Sequence, residues 1–340
     1  MVVSWPDSRQ PVGTPALFTV YEVPSINARA KPAQIGDSQE VLTPEAVRET
    51  LSRYYLCCSR LEPSMTTTPS QSPPSLLAAR KAPLSLTGLA GVKVPVDIVD
   101  ISVGKPVVFL HGLVGLNDHW EDVAKRVVPR ARCVMLQLPL LDLRGEDCSI
   151  HGATELTIRF LDRYVHEPAI LVGNSFGGHV ALRIALDRPD LLRGLVLAGS
   201  SGLIERTMVR EVQIRPSREW LSEKIGELFF DRAKMREADV DRAHHELSER
   251  GHARAMVKLS RSARRNHLGE RIHTVQAPTL LIWGRQDIVT PPEACEEFQR
   301  KIKDARTVWF DQCGHAPMIE CPDLFGDALA EFVTELERRS

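Results

Sequence analysis

A short motif that joins a buried strand to a helix constrains the fold of this chain more than any other feature. The run 169–172, Ala-Ile-Leu-Val, is apolar and rich in branched side chains, and it ends at Gly173. A helical pattern begins just after Gly178, and Ser175 lies between Gly173 and Gly177. Because glycine has no Cβ, the two flanking positions suit a sharp change of chain direction. The motif therefore predicts a strand, a tight turn and a helix, with Ser175 at the turn.

The serine at this turn has two interpretations. Gly-x-Ser-x-Gly between a strand and a helix is the context in which a serine is presented as a nucleophile. A strained backbone would then hold the Ser175 hydroxyl above the strand ends, with the helix N-terminus beneath it. In the alternative, the turn is only Gly-rich and Ser175 caps the helix. The choice depends on whether the chain also supplies a base and an acid.

Strands and helices alternate along most of the chain from Pro83 onward. This alternation predicts right-handed βαβ units around one mostly parallel sheet flanked by helices, which is an α/β fold. The predicted strands are 84–86, 92–99, 106–112, 133–138, 169–173, 194–198, 279–284 and 307–310, and the predicted helices are 120–128, 154–165, 177–187 and 323–336.

The alternation is interrupted by a charged, helical segment over residues 202–275. Helices are expected near 218–230, 240–249 and 253–264. We interpret 83–201 and 276–340 as one core and 202–275 as an insertion after the strand at 194–198. An insertion that leaves a sheet at the carboxyl end of a strand is well placed to cover a site there.

Residues 1–82 form an N-terminal extension of different composition. Pro, Ser, Thr and Gln are frequent, and residues 62–75 have almost no apolar side chain to bury, so the extension is expected to be largely disordered. One candidate helix spans 44–60, with Thr43 as its N-cap. Met65 lies in the linker and could serve as an internal translation start.

Composition narrows the partners and the compartment. The formal net charge of -1 gives no global case for nucleic acid, and no apolar run approaches the length of an integral membrane segment. The N-terminus lacks the basic and apolar blocks of a secretory signal, and seven cysteines without regular spacing predict neither a disulfide framework nor a zinc site. We expect a cytoplasmic protein with a small-molecule substrate. Composition leaves the oligomeric state open.

A serine nucleophile needs a base, and the base needs an orienting acid. Asp287 follows the predicted strand 279–284, and His315 follows the strand 307–310. Parallel strands share a direction, so these loops open on the same edge of the sheet as the turn at Ser175. The order Ser, Asp, His along the chain is the one associated with the motif. Asp311 is a rival acid, but Asp287 is favoured because Asp311 is only four residues before His315.

Two backbone N–H groups are placed to form an oxyanion hole. Phe176 follows the nucleophile at the start of the helix, and Leu113 lies in the loop after the strand that ends at His111-Gly112. Such donors stabilise the negative charge that develops in the transition state. With this set of residues the reaction needs no metal and no organic cofactor.

The motifs His111-Gly112-x-x-Gly115, Gly173-Asn174-Ser175-Phe176-Gly177-Gly178, Gly284-x-x-Asp287 and Gly314-His315 resemble those of the α/β-hydrolase fold superfamily, in its order and spacing. The resemblance runs from about Pro83 to the C-terminus and implies that the insertion is a helical cap. It implies an ester, thioester, amide or C–C hydrolase. A serine in place of aspartate at the turn argues against dehalogenases and epoxide hydrolases.

The Gly-Asn-Ser-x-Gly-Gly turn is similar to that of the meta-cleavage product hydrolases, which cut carbon–carbon bonds. Those enzymes usually carry tryptophan directly after the catalytic histidine, where this chain has Ala316. We therefore expect a carboxylic ester hydrolase acting on a small or medium hydrophobic substrate. A C–C hydrolase is the alternative, and a non-catalytic hydrolase-fold binding protein is an alternative of another class.

Four further residues are candidates for substrate binding. His119 and Trp120 closely follow the loop that carries Leu113 and could line a substrate pocket, although packing at the start of a helix explains them equally well. Arg254 and Arg261 belong to a basic stripe in the insertion with Lys258 and Arg265. A solvated helix face is the simpler interpretation of that stripe. In the alternative, functional interpretation, one of these arginines pairs with a substrate carboxylate.

Overall fold

The computed structural model describes residues 80–206 and 216–339, with side chains from Leu84 onward. The candidate helix 44–60 and nearly all of the predicted extension lie outside these residues. Eight strands form one sheet. They are β1 (Arg80–Thr87), β2 (Lys93–Ile101), β3 (Pro106–Leu110), β4 (Arg132–Gln137), β5 (Ala169–Asn174), β6 (Leu192–Ala198), β7 (Thr279–Gly284) and β8 (Ala305–Phe310).

Helices connect the strands and cover the sheet. The α-helices are α1 (Glu121–Val127), α2 (Ile150–Phe160), α3 (Phe176–Asp187), α4 (Arg218–Gly226), α5 (Glu237–Ser248), α6 (Arg250–Arg265), α7 (Pro292–Lys301), α8 (Pro317–Glu320) and α9 (Pro322–Arg339). A π-helical turn at Leu161–Val165 extends α2, and 3-10 turns occur at Asn117–Trp120, Leu140–Asp142, Pro189–Leu191, Arg232–Lys234 and Ile272–Thr274. None of the helices in the described ranges is long and apolar enough to cross a membrane.

The strand order is β1-β2-β4-β3-β5-β6-β7-β8. β1 and β2 form an antiparallel hairpin and β2 is antiparallel to β4, while all other neighbours are parallel. The predicted α/β-hydrolase fold, with a mostly parallel sheet flanked by helices, is confirmed. In this order β3, β5, β6, β7 and β8 are consecutive neighbours, so the loops after them lie side by side at one edge.

Both faces of the sheet are buried, which explains why the inner strands are continuous apolar runs rather than alternating ones. In β3, Val108 and Leu110 pack into one cluster, and Val107 and Phe109 pack into the other. The first cluster takes apolar side chains from α2, α3 and α7, and the second takes them from α1 and α9.

Three details differ from the sequence prediction. β1 begins at Arg80, three residues before the predicted core, because its pairing continues along the whole of β2 to Asp100. α2 begins at Ile150 rather than 154, since the Ser149 side chain caps it by accepting a hydrogen bond from the Gly152 N–H at 3.0 Å. Helix α7 has no counterpart among the predicted helices.

Between β6 and β7 the chain contains the helices α4, α5 and α6. We refer to this part of the chain as the insertion. Leu221, Val240, Ala243 and Leu247 make a small apolar cluster of its own, and Leu141, outside the insertion, joins it. The insertion is therefore packed against the rest of the fold through apolar contacts as well as through the polar contacts described below. That residues 202–275 form a cap over the site stays a prediction.

Candidate active site

Ser175 occupies a strained turn between β5 and α3. Its φ of 53° and ψ of -115° lie outside the regions that side chains favour, a conformation that costs about 1–3 kcal/mol and is concentrated at functional sites. A Cβ at Gly177 would collide with the Leu110 carbonyl, and one at Gly173 would collide with the backbone of Gly177. The two glycines therefore allow β3, β5 and α3 to approach one another closely. Ser175, between them, is partly exposed, while its neighbours in the chain are buried.

Asp287 and His315 meet on the loops after β7 and β8. His315 Nδ1 lies 2.8 Å from Asp287 Oδ2, and both side chains are buried. The rival acid Asp311 is instead an exposed residue paired with Arg285. With Nδ1–H donated to the carboxylate, neutral His315 carries its lone pair on Nε2, which is the tautomer that a general base needs.

The Asp287 carboxylate accepts hydrogen bonds at both oxygens in its buried position. Oδ1 accepts from the N–H groups of Val289 and Thr290 at 2.8 and 2.9 Å, and Oδ2 accepts from the Thr290 hydroxyl at 2.8 Å as well as from His315. Donors to both oxygens hold the carboxylate in a fixed orientation toward His315. The sequence reasoning missed Thr290, although Asp-x-x-Thr after a strand is a recognisable turn pattern.

The environment of His315 raises its pKa above the ordinary value. Burial alone would lower that pKa, but attraction to Asp287, the hydrogen bond to it and the charge of Glu205 together outweigh burial. Burial in turn raises the pKa of Glu205, against the attraction of His315 and Arg264. The imidazolium that forms when His315 takes a proton is therefore stabilised by charge.

Residues 111–115, which we call the oxyanion loop after their predicted role, lie beside Ser175. A Cβ at Gly112 would be 3.6 Å from Ser175 Cβ, and the Gly115 N–H closes the loop by donating to Gly112 O at 3.1 Å. Neither the Leu113 N–H nor the Phe176 N–H donates to another described residue. Phe176 is the first residue of α3, where helical N–H groups have no intrahelical acceptor. Both N–H groups are therefore without an acceptor among the described residues, and their role as oxyanion donors stays a prediction.

The side chain of His111 supports this loop from the core. Its Nδ1 donates to Gly112 O at 2.7 Å, and its Nε2 accepts from the Leu138 N–H at 3.1 Å. Burial lowers the pKa of His111 to about 4, so the ring is neutral at physiological pH. This role in shaping the loop agrees with the position of His111 next to the predicted oxyanion donor.

A family model described as "Alpha/beta hydrolase family" matches residues 107–328, which is more than half of the chain. The chain belongs to the alpha/beta hydrolase family. The resemblance inferred from the motifs is thereby confirmed, and the protein is an enzyme of the hydrolase class.

Two curated relatives differ in the compounds that they are named for. The chain is 27% identical over 244 residues to a pimeloyl-[acyl-carrier protein] methyl ester esterase of Nitrosomonas europaea, covering 65% of this chain and 93% of that protein. It is 27% identical over 261 residues to a 2-hydroxy-6-oxononadienedioate/2-hydroxy-6-oxononatrienedioate hydrolase of Klebsiella pneumoniae, covering 70% and 90%.

Among solved structures, the meta-cleavage product hydrolase CumD of Pseudomonas fluorescens IP01 is similar, with a TM-score of 0.63 and 24% identity. The match covers 74% of this chain and 97% of that one. At this level of identity the similarity shows a shared fold.

Gly199 and Asn174 lie next to the Asp287–His315 pair in this chain. Gly199, after β6, has a φ of +49°, and a Cβ there would be 3.0 Å from Asp287 Oδ2 and 3.1 Å from His315 Nδ1. The Asn174 amide donates to Ala198 O at 3.0 Å and to His315 O at 3.1 Å. Asn174 therefore has a structural role that does not depend on the bond that is cleaved.

The His315 loop is also held by the insertion, through a carboxylate that the sequence reasoning missed. Glu320 is buried; Oε1 accepts from the Gly314 N–H at 2.6 Å, and Oε2 accepts from the N–H groups of Phe230 and Asp231 at 2.9 and 3.1 Å. The His315 N–H itself donates to Leu228 O at 2.7 Å. The segment 228–231 of the insertion is thus hydrogen-bonded to the loop that carries the histidine.

The four candidates for substrate binding lie in different surroundings. Trp120 is fully buried in the core against Phe109 and Phe325, as the packing interpretation expects. His119 Nε2 is 3.1 Å from Asp239 Oδ2 of α5, so it contacts the insertion. Arg254 and Arg261 are exposed on α6, which favours the solvated-face interpretation, and their contact with substrate stays a prediction.

The described residues contain no group of three His, Cys, Asp or Glu side chains arranged to hold a metal. Cys313 and Cys321, on either side of His315, are free thiols whose pKa values burial raises, so neither has the character of an activated nucleophile. Ser175 is therefore the nucleophile candidate at this edge of the sheet.

Proposed function

We propose that this protein is a serine hydrolase that cleaves carboxylic esters of small or medium hydrophobic substrates through an acyl-enzyme. The observation that carries the proposal is the buried pair of His315 and Asp287, 2.8 Å apart, on loops that neighbour the strained turn of Ser175. This pair supplies the base and the orienting acid that a serine hydroxyl needs at neutral pH.

In the proposed mechanism His315 Nε2 takes the Ser175 proton while Oγ attacks the ester carbonyl. Asp287 keeps the imidazole in the productive tautomer and stabilises the imidazolium. The Leu113 and Phe176 N–H groups bind the oxyanion of the tetrahedral intermediate, and loss of one such donor typically costs about 3–4 kcal/mol in the barrier. His315 then protonates the leaving alcohol, and a water activated by His315 hydrolyses the acyl-enzyme. No step requires a metal or an organic cofactor.

Ester cleavage is favoured over C–C cleavage by two observations. A relative over 65% of the chain is named a methyl ester esterase, and the position after His315 holds Ala316, a small buried residue, in place of tryptophan. The relative named for a 2-hydroxy-6-oxo-dienedioate keeps C–C hydrolysis as the second candidate. A substrate of either class would be a small molecule, and we propose a cytoplasmic location for the reaction.

Turnover of p-nitrophenyl acetate and butyrate by the full-length chain tests the proposal. We expect Ser175→Ala to abolish turnover, whereas the matched control Ser85→Ala, at an exposed position of β1, retains the wild-type rate. Equal rates for wild type and Ser175→Ala would refute the serine mechanism. Faster cleavage of a vinylogous 1,5-diketone than of any short-chain ester would replace the ester proposal with C–C hydrolysis.

A further inference from the structure

The oxyanion loop is held from two sides. On the core side, His111 bonds Gly112 O, and the Gln137 amide donates to Gly115 O at 3.3 Å. On the other side, Arg242 of α5 donates from Nη2 to Val114 O at 2.7 Å. The carbonyls of residues 112, 114 and 115 are therefore each engaged, two by the core and one by the insertion.

Arg242 is itself held in place by its own helix. Its Nη1 lies 3.1 Å from Glu246 Oε2, one turn further along α5. Its side chain is largely buried, and its Nε has no hydrogen-bond partner among the described residues. The planar guanidinium has donors in a fixed arrangement, so the pair with Glu246 aims Nη2 at the loop. A second contact from α5, between Asp239 and His119, lies just beyond the loop.

We propose that Arg242 is a positioning residue for the oxyanion hole. The Leu113 N–H lies one residue before the carbonyl that Arg242 binds, in a loop of five residues. The orientation of that N–H thus depends on a contact supplied by the insertion. The inference rests on the proposed serine mechanism, because it assigns the Leu113 N–H to the oxyanion. Arg242 acts through the loop, without a bond to the reacting atoms.

The size of the effect follows from what is disturbed. Complete loss of an oxyanion donor lowers kcat by about 10²–10³-fold, and a shift of about 1 Å in a positioned group can cost about 10²-fold. Loss of the Arg242 contact leaves the core-side bonds of the loop intact. We therefore expect Arg242→Met to slow acylation of Ser175 by about 10–100-fold, with little change in KM.

The test measures the second-order rate of Ser175 labelling by a fluorophosphonate, together with kcat and KM on p-nitrophenyl butyrate. Arg218→Met is the matched control, because Arg218 bonds Asp241 and Glu237 of α5 and is more exposed than Arg242. We expect it to label at the wild-type rate. Arg242→Lys, which keeps the charge, should recover part of the rate lost in Arg242→Met.

Thermal melts show whether each variant is folded. If Arg242→Met does not fold, Glu246→Gln, which keeps the arginine and removes its partner, should slow labelling in the same direction by a smaller factor. Wild-type labelling rates in both Arg242 variants, or a rise in KM with unchanged kcat, would overturn the inference. The labelling assay needs no substrate, so a wild type that is labelled at Ser175 but hydrolyses no ester refutes the proposed ester specificity alone.

Discussion

Glu320 offers the sharpest test of how the histidine loop is built. Its two carboxylate oxygens accept three backbone N–H bonds, one from Gly314 in the histidine loop and two from the insertion, at Phe230 and Asp231. Glutamine has the same shape but only one acceptor oxygen. If that oxygen faces Gly314, the N–H groups of Phe230 and Asp231 face the amide NH₂, which cannot accept a hydrogen bond. In the opposite orientation, the Gly314 N–H faces the amide NH₂ and loses its acceptor.

The cost of Glu320→Gln follows from the bonds that are lost. A buried donor left without an acceptor costs about 1–3 kcal/mol. The bond from Gly314 is buried, whereas the bonds from Phe230 and Asp231 are partly buried, so the cost is smallest when the amide oxygen faces Gly314. We expect the free energy of unfolding to fall by about 1–3 kcal/mol, which lowers Tm by about 2–12 °C in a domain of this size.

Activity should fall as well, because the bonds of Glu320 hold the loop that presents His315. A displacement of the imidazole by a fraction of an ångström lowers kcat by about tenfold or more. Thermal melts followed by circular dichroism and kcat on p-nitrophenyl butyrate measure the two effects. Glu331→Gln is the matched control, since Glu331 is exposed and its ion pair with Arg306 is worth little. A Glu320→Gln protein that melts and turns over like this control would refute the reasoning.

Two further predictions concern the Asp287–His315 pair. Because His315 must be neutral to act as base and its pKa is raised, kcat/KM should rise with pH through a midpoint above the ordinary histidine value of about 6.5. Asp287→Asn removes the main attraction that raises the pKa of His315 and leaves the burial that lowers it, so the midpoint should move to lower pH. The plateau of kcat/KM should also fall by about 10⁴-fold. An unchanged midpoint would contradict the assignment of Asp287 as the partner of His315. Gly199→Ala places a methyl group 3.0 Å from Asp287 Oδ2 at a φ of +49°, so kcat should fall. The control Gly145→Ala has a similar φ of +55° but open space around the new methyl group, so it should change stability alone.

The fold, and the sheet edge at which the candidate site residues lie, could be predicted because local patterns determine them. Continuous apolar runs such as 169–172 occur where both faces of a sheet are covered, and this predicts parallel inner strands. Parallel strands direct their following loops to one edge of the sheet, so Ser175, Asp287 and His315 could be assigned to that edge from the sequence alone. The glycines around Ser175 predicted a tight turn, and the turn has a positive φ at Ser175.

The supports of the site could not be predicted, because they depend on contacts between distant segments. Glu320 and Phe230 are separated by 90 residues, and Arg242 and Val114 by 128. Neither contact leaves a periodic or local pattern in the sequence. Trp120 shows the converse, since its position after the oxyanion loop made it a pocket candidate, and only the packing against Phe109 places it in the core.

The insertion contacts both halves of the candidate site. Leu228 O and the N–H groups of Phe230 and Asp231 bind the histidine loop, directly or through Glu320, while Arg242 binds the oxyanion loop. A segment that only covered the pocket could be exchanged with an effect on KM alone. Here, any change in the position of the insertion moves the proposed base and a proposed oxyanion donor together. Replacing α4 and α5 should therefore alter kcat even for substrates too small to touch these helices.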